Sequence, residues 1–271
     1  MKCLEPFRNP QGEYGCSQCT PCRINRQRVW ITRLLLEQQA HAVSCFATLT
    51  YDEHNQPPEL TPAHPRAFLK ALRKLLPRPL RYYLVGEYGD RTFRPHYHAL
   101  LYGVSPMEAP LVQTAWSRGF IHLGDLTPET ARYVTGYTIK KMTATTDPRL
   151  ANRHPEFARM SLKPGIGRNA LQPLAHSLTS QHPSTALANG LDVPTQFRFQ
   201  NKLLPIGRYL TRKLREDVGW SPDTPAPKQQ ETLLRLTLET GADLDEKARV
   251  RSVQKIRSKQ RAERASLGRH L

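Results

Sequence analysis

Two β-type runs, LRYYLVGEYG (80–89) and RPHYHALLYG (94–103), are joined through GDRTF, whose Gly and polar residues have the chemistry of a hairpin loop. The runs are therefore expected side by side and antiparallel, with Glu87, at the end of the first, brought level with His96 in the second. The segments around this hairpin follow from it. Upstream, CFATLTYD (45–52) is a strand rich in Thr and aromatics, and HNQPPELTP is a Pro-broken loop. PRAFLKALRKLLP then forms an amphipathic helix, with Phe68, Leu69, Leu72, Leu75 and Leu76 inward and Arg66, Lys70, Arg73 and Lys74 outward. Downstream, PMEAPLVQTAWSRG gives a weaker helix and FIHL a short strand. A helix then starts at DLTPETARYVTGYTIKKM, with Thr127 as N-cap, Pro128 first and Glu129 near the positive dipole end. The order β-α-β-β-α-β-α predicts an α+β fold: a ferredoxin-like or RNA-recognition-like antiparallel sheet, β-α-β-β-α-β, with helices packed on it.

The flanks are less regular. RINRQRVWITRLLLEQQA reads as a helix with Trp30, Ile31, Leu34 and Leu35 along one side and a start made basic by Arg23, Arg26 and Arg28. Past residue 165 the periodicity fades, and 169–196 carries scattered Pro, Ser and Thr with little amphipathic signal. NKLLPIGRYLTRKLRED is expected to form one more basic helix, SPDTPAP (221–227) a linker, and the remainder a charged helical tail. With 38% apolar residues and 23 prolines in 271, the folded core is expected in the first two-thirds and a looser arrangement in the last.

A net charge of +17 suits a polyanionic partner, because Lys and Arg that neutralise phosphates release condensed counterions. No apolar run approaches the ~20 residues that span a bilayer, and the N-terminus has no apolar core of a secretory signal. Three of the five cysteines fall in CSQCTPC. In a chain without a signal sequence this favours reduced, metal-binding thiols and a cytoplasmic setting. Cys16, Cys19 and Cys22, with Cys3 as candidate fourth ligand, suit tetrahedral Zn²⁺, ahead of an iron–sulfur cluster or a metal-free turn. Cys45, in a strand, is expected in the core.

His96 and His98 alternate onto one face of their strand, with Cβ atoms about 7 Å apart, so two imidazoles can chelate one cation. Alone, such a pair in an apolar strand is more often just two histidines. Glu87 alters the balance, adding the charge and oxygen that suit Mg²⁺ or Mn²⁺. Tyr133 and Tyr137 are four apart on the downstream helix and share a face, with Lys140 and Lys141 following within a turn. A phenol of pKa ~10 needs a nearby cation to become a nucleophile; a helix that merely buries two tyrosines is an equal reading of this motif alone. Gly136 between them is an anomaly, costing about 1 kcal/mol against Ala in a helix interior. Together, the histidines, the acid and the Tyr–Lys helix suggest a phosphodiester transesterase.

FATLTYD, GEYGDRTFRPHYHALLYG and YVTGYTIKK, in that order and spacing, resemble the three motifs of HUH-type rolling-circle replication initiators, most closely those of gokushovirus-like microviruses. CSQCTPCRINRQRVWITRLLLE and MSLKPGIG resemble the same family, and the likeness covers roughly residues 1 to 170. It implies a site-specific single-stranded DNA nickase and ligase acting through a covalent 5′-phosphotyrosine in the host bacterial cytoplasm. His96 and His98 match the metal-binding pair, and Tyr133 and Tyr137 the two-tyrosine form of the catalytic helix, of which some members use only one. Glu87 as third ligand rests on hairpin geometry, and Lys140 and Lys141 would give electrostatic support. Arg23, Arg26, Arg28 and Arg94 are candidate DNA contacts. The implied organisation is a zinc-binding cysteine knuckle at 1–25, the endonuclease domain at 26–168, an extended segment with a basic helix at 169–220, and linker and tail at 221–271. The chain has no Walker A motif, so a helicase, like a polymerase, would be a host partner. Two rivals remain at this point. One is a transposase or plasmid initiator of the same chemistry; the other is a non-catalytic RNA-recognition-like module with Tyr82, Tyr83 and Phe93 as base-stacking residues.

Overall fold

The computed structural model of the protein describes residues 2–9, 12–89, 92–136, 147–180, 192–199 and 201–223. The chain divides into two compact units, Met1–Arg26 with Ser221–Leu271, and Gln27–Trp220. In the first, a small hairpin pairs β1 (Phe7–Asn9) with β2 (Gly12–Tyr14). Helix α1 spans Thr20–Gln39, starting a turn before the basic run that marks it in the sequence.

The larger unit is built on a five-stranded sheet. In chain order it contains β3 (Ser44–Thr50), α2 (Ala63–Leu75), β4 (Arg81–Tyr88), β5 (Pro95–Tyr102), α3 (Ala109–Ala115), β6 (Ile121–Asp125), α4 (Pro128–Thr135) and β7 (Phe157–Met160). The strands lie in the order β6-β3-β5-β4-β7 and every pairing is antiparallel. Four of them, with α2 and α3, make the expected β-α-β-β-α-β arrangement, and β7 extends its β4 edge. The fold is α+β, as the element order required.

Alternation along the strands gives the sheet two different faces. One carries Cys45, Ala47 and Leu49 of β3, Leu84 of β4, and Tyr97, Ala99 and Leu101 of β5, packed under Phe68, Leu69 and Leu72 of α2 and Val112 and Trp116 near α3. The other carries Tyr83, Val85, Leu100 and Tyr102, covered by Ile31, Leu34 and Leu35 of α1 and by Ala131 and Val134 of α4. At one end of that second face the apolar rows give way to Glu87, His96 and His98.

Residues beyond 165 are better ordered than their composition suggests. Helices α5 (Leu171–Ser180) and α6 (Gly207–Asp217) and the hairpin of β8 (Gln196–Phe199) with β9 (Lys202–Pro205) are formed. Leu171, Ala175, Ile206, Leu210 and Leu214 build a third cluster with Leu36 of α1. The single basic helix expected over 201–217 is a strand followed by a helix, because Pro205 ends the first and Gly207, at φ 77°, starts the second. In α5, Leu171, Leu174, Ala175 and Leu178 keep helical spacing, but Pro173, Ser and Thr between them mask it. The tail beyond 223 lies outside the described residues.

Glu37 ties the larger unit together. Fully buried, its carboxylate accepts from Arg81 of β4 and from the Gly167 amide at 2.6 Å, and lies 3.2 Å from His41 Nε2. Burial alone pushes the carboxyl up, but the His41 and Arg81 hydrogen bonds and the Gly167 amide outweigh it and hold it below its ordinary range. Glu37→Gln leaves Arg81 without its counter-charge and is expected to cost about 3 kcal/mol in urea denaturation at neutral pH. The folded pKa is the lower one, so the wild-type advantage is complete above the unfolded value of about 4.3 and disappears as pH falls through the folded value. The two proteins should therefore converge in acid.

Candidate functional site

The β4–β5 hairpin places Glu87 opposite His96 and Val85 opposite His98, so the carboxylate and both imidazoles share a face. Their candidate ligand atoms all lie within 4.8 Å of one another. Glu87 Oε1 is 3.2 Å from His98 Nε2 and 3.6 Å from His96 Nε2. Glu87 and His98 are buried, and His96 is partly open.

The surroundings determine which nitrogen each imidazole presents. His96 Nδ1 lies 3.2 Å from the Arg94 carbonyl, which can only accept, so Nδ1 carries the proton and Nε2 the lone pair. His98 Nδ1 lies 3.0 Å from Thr48 Oγ1, which can accept its proton and likewise leave Nε2 toward Glu87. Phe46 stacks on the His98 ring at 5.6 Å and 9°. Phe46, Thr48 and Thr50 alternate onto the same face of β3 as the histidines, and Thr48 is registered opposite His98.

Helix α4 brings the tyrosine. Thr127 caps it as expected, with a reciprocal Thr127–Thr130 capping box, and Pro128 follows. Ala131 and Val134 seat the helix on the sheet, and Gln27 of α1 donates to the Arg132 carbonyl at 3.1 Å. Tyr133 then projects over the end of the sheet. Its hydroxyl donates to Glu87 Oε1 at 3.3 Å and lies 3.2 Å from His98 Nε2, its ring meets His98 edge-on at 4.9 Å, and 55% of the residue is exposed. Tyr137, Lys140 and Lys141 lie outside the described residues. Gly136 is right-handed helical, and a Cβ there would meet nothing nearer than Gln27 Nε2 at 4.0 Å, so packing among the described residues does not require glycine.

Beside His96 opens a groove of about 440 Å³ lined by Thr50, Tyr51, Arg94, His96 and Phe120, among others. Phe120 is 67% exposed, although its backbone pairs with Thr50. Arg94 is exposed and reaches the Tyr51 carbonyl at 3.3 Å. Thr48, Phe46 and Phe120 were not singled out in the sequence; only the β3–β5 register shows which face they occupy.

Of the aromatics that a base-binding platform would use, Tyr83 is buried with its ring 5.2 Å from Trp30. Arg73 covers Tyr82, and Phe93 lies between Tyr88 and Arg153. Both faces of the sheet are covered by helices, so the stacking surface of the RNA-recognition-like reading is not formed.

In the smaller unit, Cys3, Cys16, Cys19 and Cys22 converge, their thiols all within 4.8 Å of one another. Arg23 and Arg26 lie in α1 just after Cys22, and farther along α1 Arg28 donates to the Leu203 carbonyl at 3.3 Å. Cys45 is fully buried in the core, where burial pushes its thiol up to about 12.

Residues 44–142 match the family of replication-associated proteins typified by ORF2. The chain is 31% identical over 212 residues to the replication-associated protein VP4 of Bdellovibrio phage phiMH2K, an alignment covering 69% of this chain and 66% of that protein. It is 32% identical over 178 residues to the replication-associated protein ORF2 of Spiroplasma virus 4, covering 56% and 55% of the two chains. With the replication-associated protein ORF4 of Chlamydia phage 1 it shares 25% over 150 residues, 46% of this chain and 38% of the other. The chain thus spans just under two thirds of the first of these relatives and less of the others. No solved structure matches it. Among the described residues, no helix is long and apolar enough to cross a membrane.

Proposed function

We propose, from the premise that this chain belongs to the replication-associated proteins of small phages, that it starts rolling-circle replication of a phage genome by nicking and later rejoining single-stranded DNA. The observation that carries the reading is the Tyr133 hydroxyl, half open to solvent yet within 3.3 Å of both Glu87 and His98. A phenol held against a carboxylate and two inward-facing imidazoles is an arrangement for phosphodiester transesterification.

The donor set fits a divalent ion. One buried carboxylate and two imidazoles, each with Nε2 directed to the same point, are borderline-hard ligands for Mg²⁺ or Mn²⁺. Bound between Glu87, His96 and His98, such an ion would supply Lewis-acid polarisation of the scissile phosphate. Tyr133 then attacks phosphorus: a Tyr133 O–P bond forms and the P–O3′ bond breaks. The phenol gives up its proton, and the departing 3′ oxygen takes one up. The products are a 5′-phosphotyrosine and a free 3′-hydroxyl, and rejoining runs the same exchange in reverse. Tyr137 is proposed as the second nucleophile, and Lys140 and Lys141 as charges near the phosphate. Phe120 and Arg94 flank the groove beside His96, where a base can stack and a phosphate pair. The excess positive charge serves the DNA backbone, Arg23, Arg26 and Arg28 included. Strand separation and synthesis fall to a host helicase and polymerase, so the work takes place in the host cytoplasm. A transposase or plasmid initiator shares this chemistry, but the relatives listed above are all proteins of phages.

The test is incubation of the full chain with single-stranded oligonucleotides tiling the phage genome. With Mn²⁺ or Mg²⁺, one sequence should be cut and a detergent-stable protein–DNA adduct should appear; chelator should abolish both. Salt-sensitive binding without scission under any divalent ion would overturn the proposal in favour of a binding module.

A further inference from the structure

We propose that Cys3, Cys16, Cys19 and Cys22 form a structural zinc site, separate from the His–Glu cluster, that fixes the N-terminal turn of α1. The spacing is the first argument. Four thiolates at about 2.3 Å from a tetrahedral Zn²⁺ stand about 3.8 Å from one another. Cys3 Sγ and Cys19 Sγ are 3.7 Å apart, and all four sulfurs lie within 4.8 Å of one another. A disulfide would need about 2.05 Å, and all four thiols are free.

The backbone is also shaped around sulfur. Cys16 Sγ accepts from the amides of Gln18 at 3.4 Å and Cys19 at 3.3 Å, and Cys3 Sγ accepts from the Cys16 amide at 3.2 Å. Ser17 takes a left-handed φ of 63° to close that turn. Amides directed at sulfur favour the thiolate, the form that binds metal. At Gly15 a Cβ would stand 2.9 Å from Cys22 Sγ, so this position must be glycine for the fourth thiol to fold back.

The third argument is the lack of any other source of stability. None of the described residues 2–20 is buried, and Phe7 and Tyr14 of the hairpin are exposed. A segment this small, without an apolar core or a disulfide, needs a metal to hold one conformation. Cys22 belongs to the first turn of α1. Zinc therefore joins the hairpin and the cysteine turn to that helix and orients Arg23 and Arg26, which follow directly.

The test is metal analysis of the full chain purified without added metal. Zinc near one equivalent per chain is expected, kept in a His96→Ala, His98→Ala double variant and lost in Cys16→Ser and Cys19→Ser. Should those two variants fail to fold, wild-type protein reports instead. Alkylation mapped by mass spectrometry should find the four cysteines protected until a chelator strips the zinc. Cobalt substitution should give the intense sulfur-to-metal bands of a tetrathiolate site. Iron with bound sulfide in place of zinc, zinc that follows the histidines rather than the cysteines, or alkylation indifferent to chelator would each overturn the assignment.

Discussion

Tyr133→Phe is expected to eliminate the covalent protein–DNA adduct and to reduce nicking by roughly 10⁴-fold or more, as loss of a nucleophile does. The fold should tolerate the change. The residue is 55% exposed, and α4 is seated by Ala131 and Val134 rather than by the phenol; stability should stay within about 0.5 kcal/mol of wild type. What is lost is the oxygen that lies 3.3 Å from Glu87 and 3.2 Å from His98. Neither the Phe46 edge contact nor the His98 ring contact needs it. DNA binding at fixed salt should be unchanged, because the phosphate backbone, not one hydroxyl, dominates affinity. Denaturing electrophoresis of protein mixed with labelled origin DNA reads the result. An adduct that survives in Tyr133→Phe and disappears only when Tyr137 is also replaced would move the first nucleophile to Tyr137.

The candidate site was legible where its contacts are local. Glu87 and His96 are close in the chain across a short loop, so hairpin register alone placed the carboxylate beside the imidazole. The Thr127-Pro128 start of α4 fixed the phase of that helix, and with it the side from which Tyr133 projects. The outline of the sheet followed from element order, since consecutive elements pack as neighbours. Contacts made over long separations were not legible. Thr48 meets His98 across 50 positions, and Glu37 meets the Gly167 amide across 130. Nothing in LLLE marks Glu37 as buried; only Arg81 and the chain near Gly167, folded back over α1, satisfy it. The same limit hid β7, which adds Phe157–Met160 to the β4 edge with too short a run to show alternation. The base-stacking rival failed for a related reason: Tyr83 looked like surface until α1 was laid over it.

His98→Ala and Thr48→Val should separate a ligand from the group that orients it. Removing the His98 imidazole takes away one of three ligands and the ring that Phe46 stacks on. Nicking should fall by about 10³-fold, the several kcal/mol that a metal contributes to phosphoryl chemistry, and added Mn²⁺ should not restore it. Thr48→Val keeps the side-chain volume but leaves His98 Nδ1 without its partner at 3.0 Å. The imidazole can then rotate or switch tautomer, so metal affinity should fall about 10–100-fold, as when an orienting hydrogen bond to a metal-bound histidine is lost. Here excess Mn²⁺ should recover most of the activity, since the ligand itself is intact. Titrating Mn²⁺ against the initial nicking rate distinguishes the two: a shifted midpoint with a preserved plateau for Thr48→Val, and a collapsed plateau for His98→Ala. A Thr48→Val curve that superimposes on wild type would remove Thr48 from the site. Full activity in His98→Ala would place the metal, and with it the phosphate that Tyr133 attacks, elsewhere in the protein.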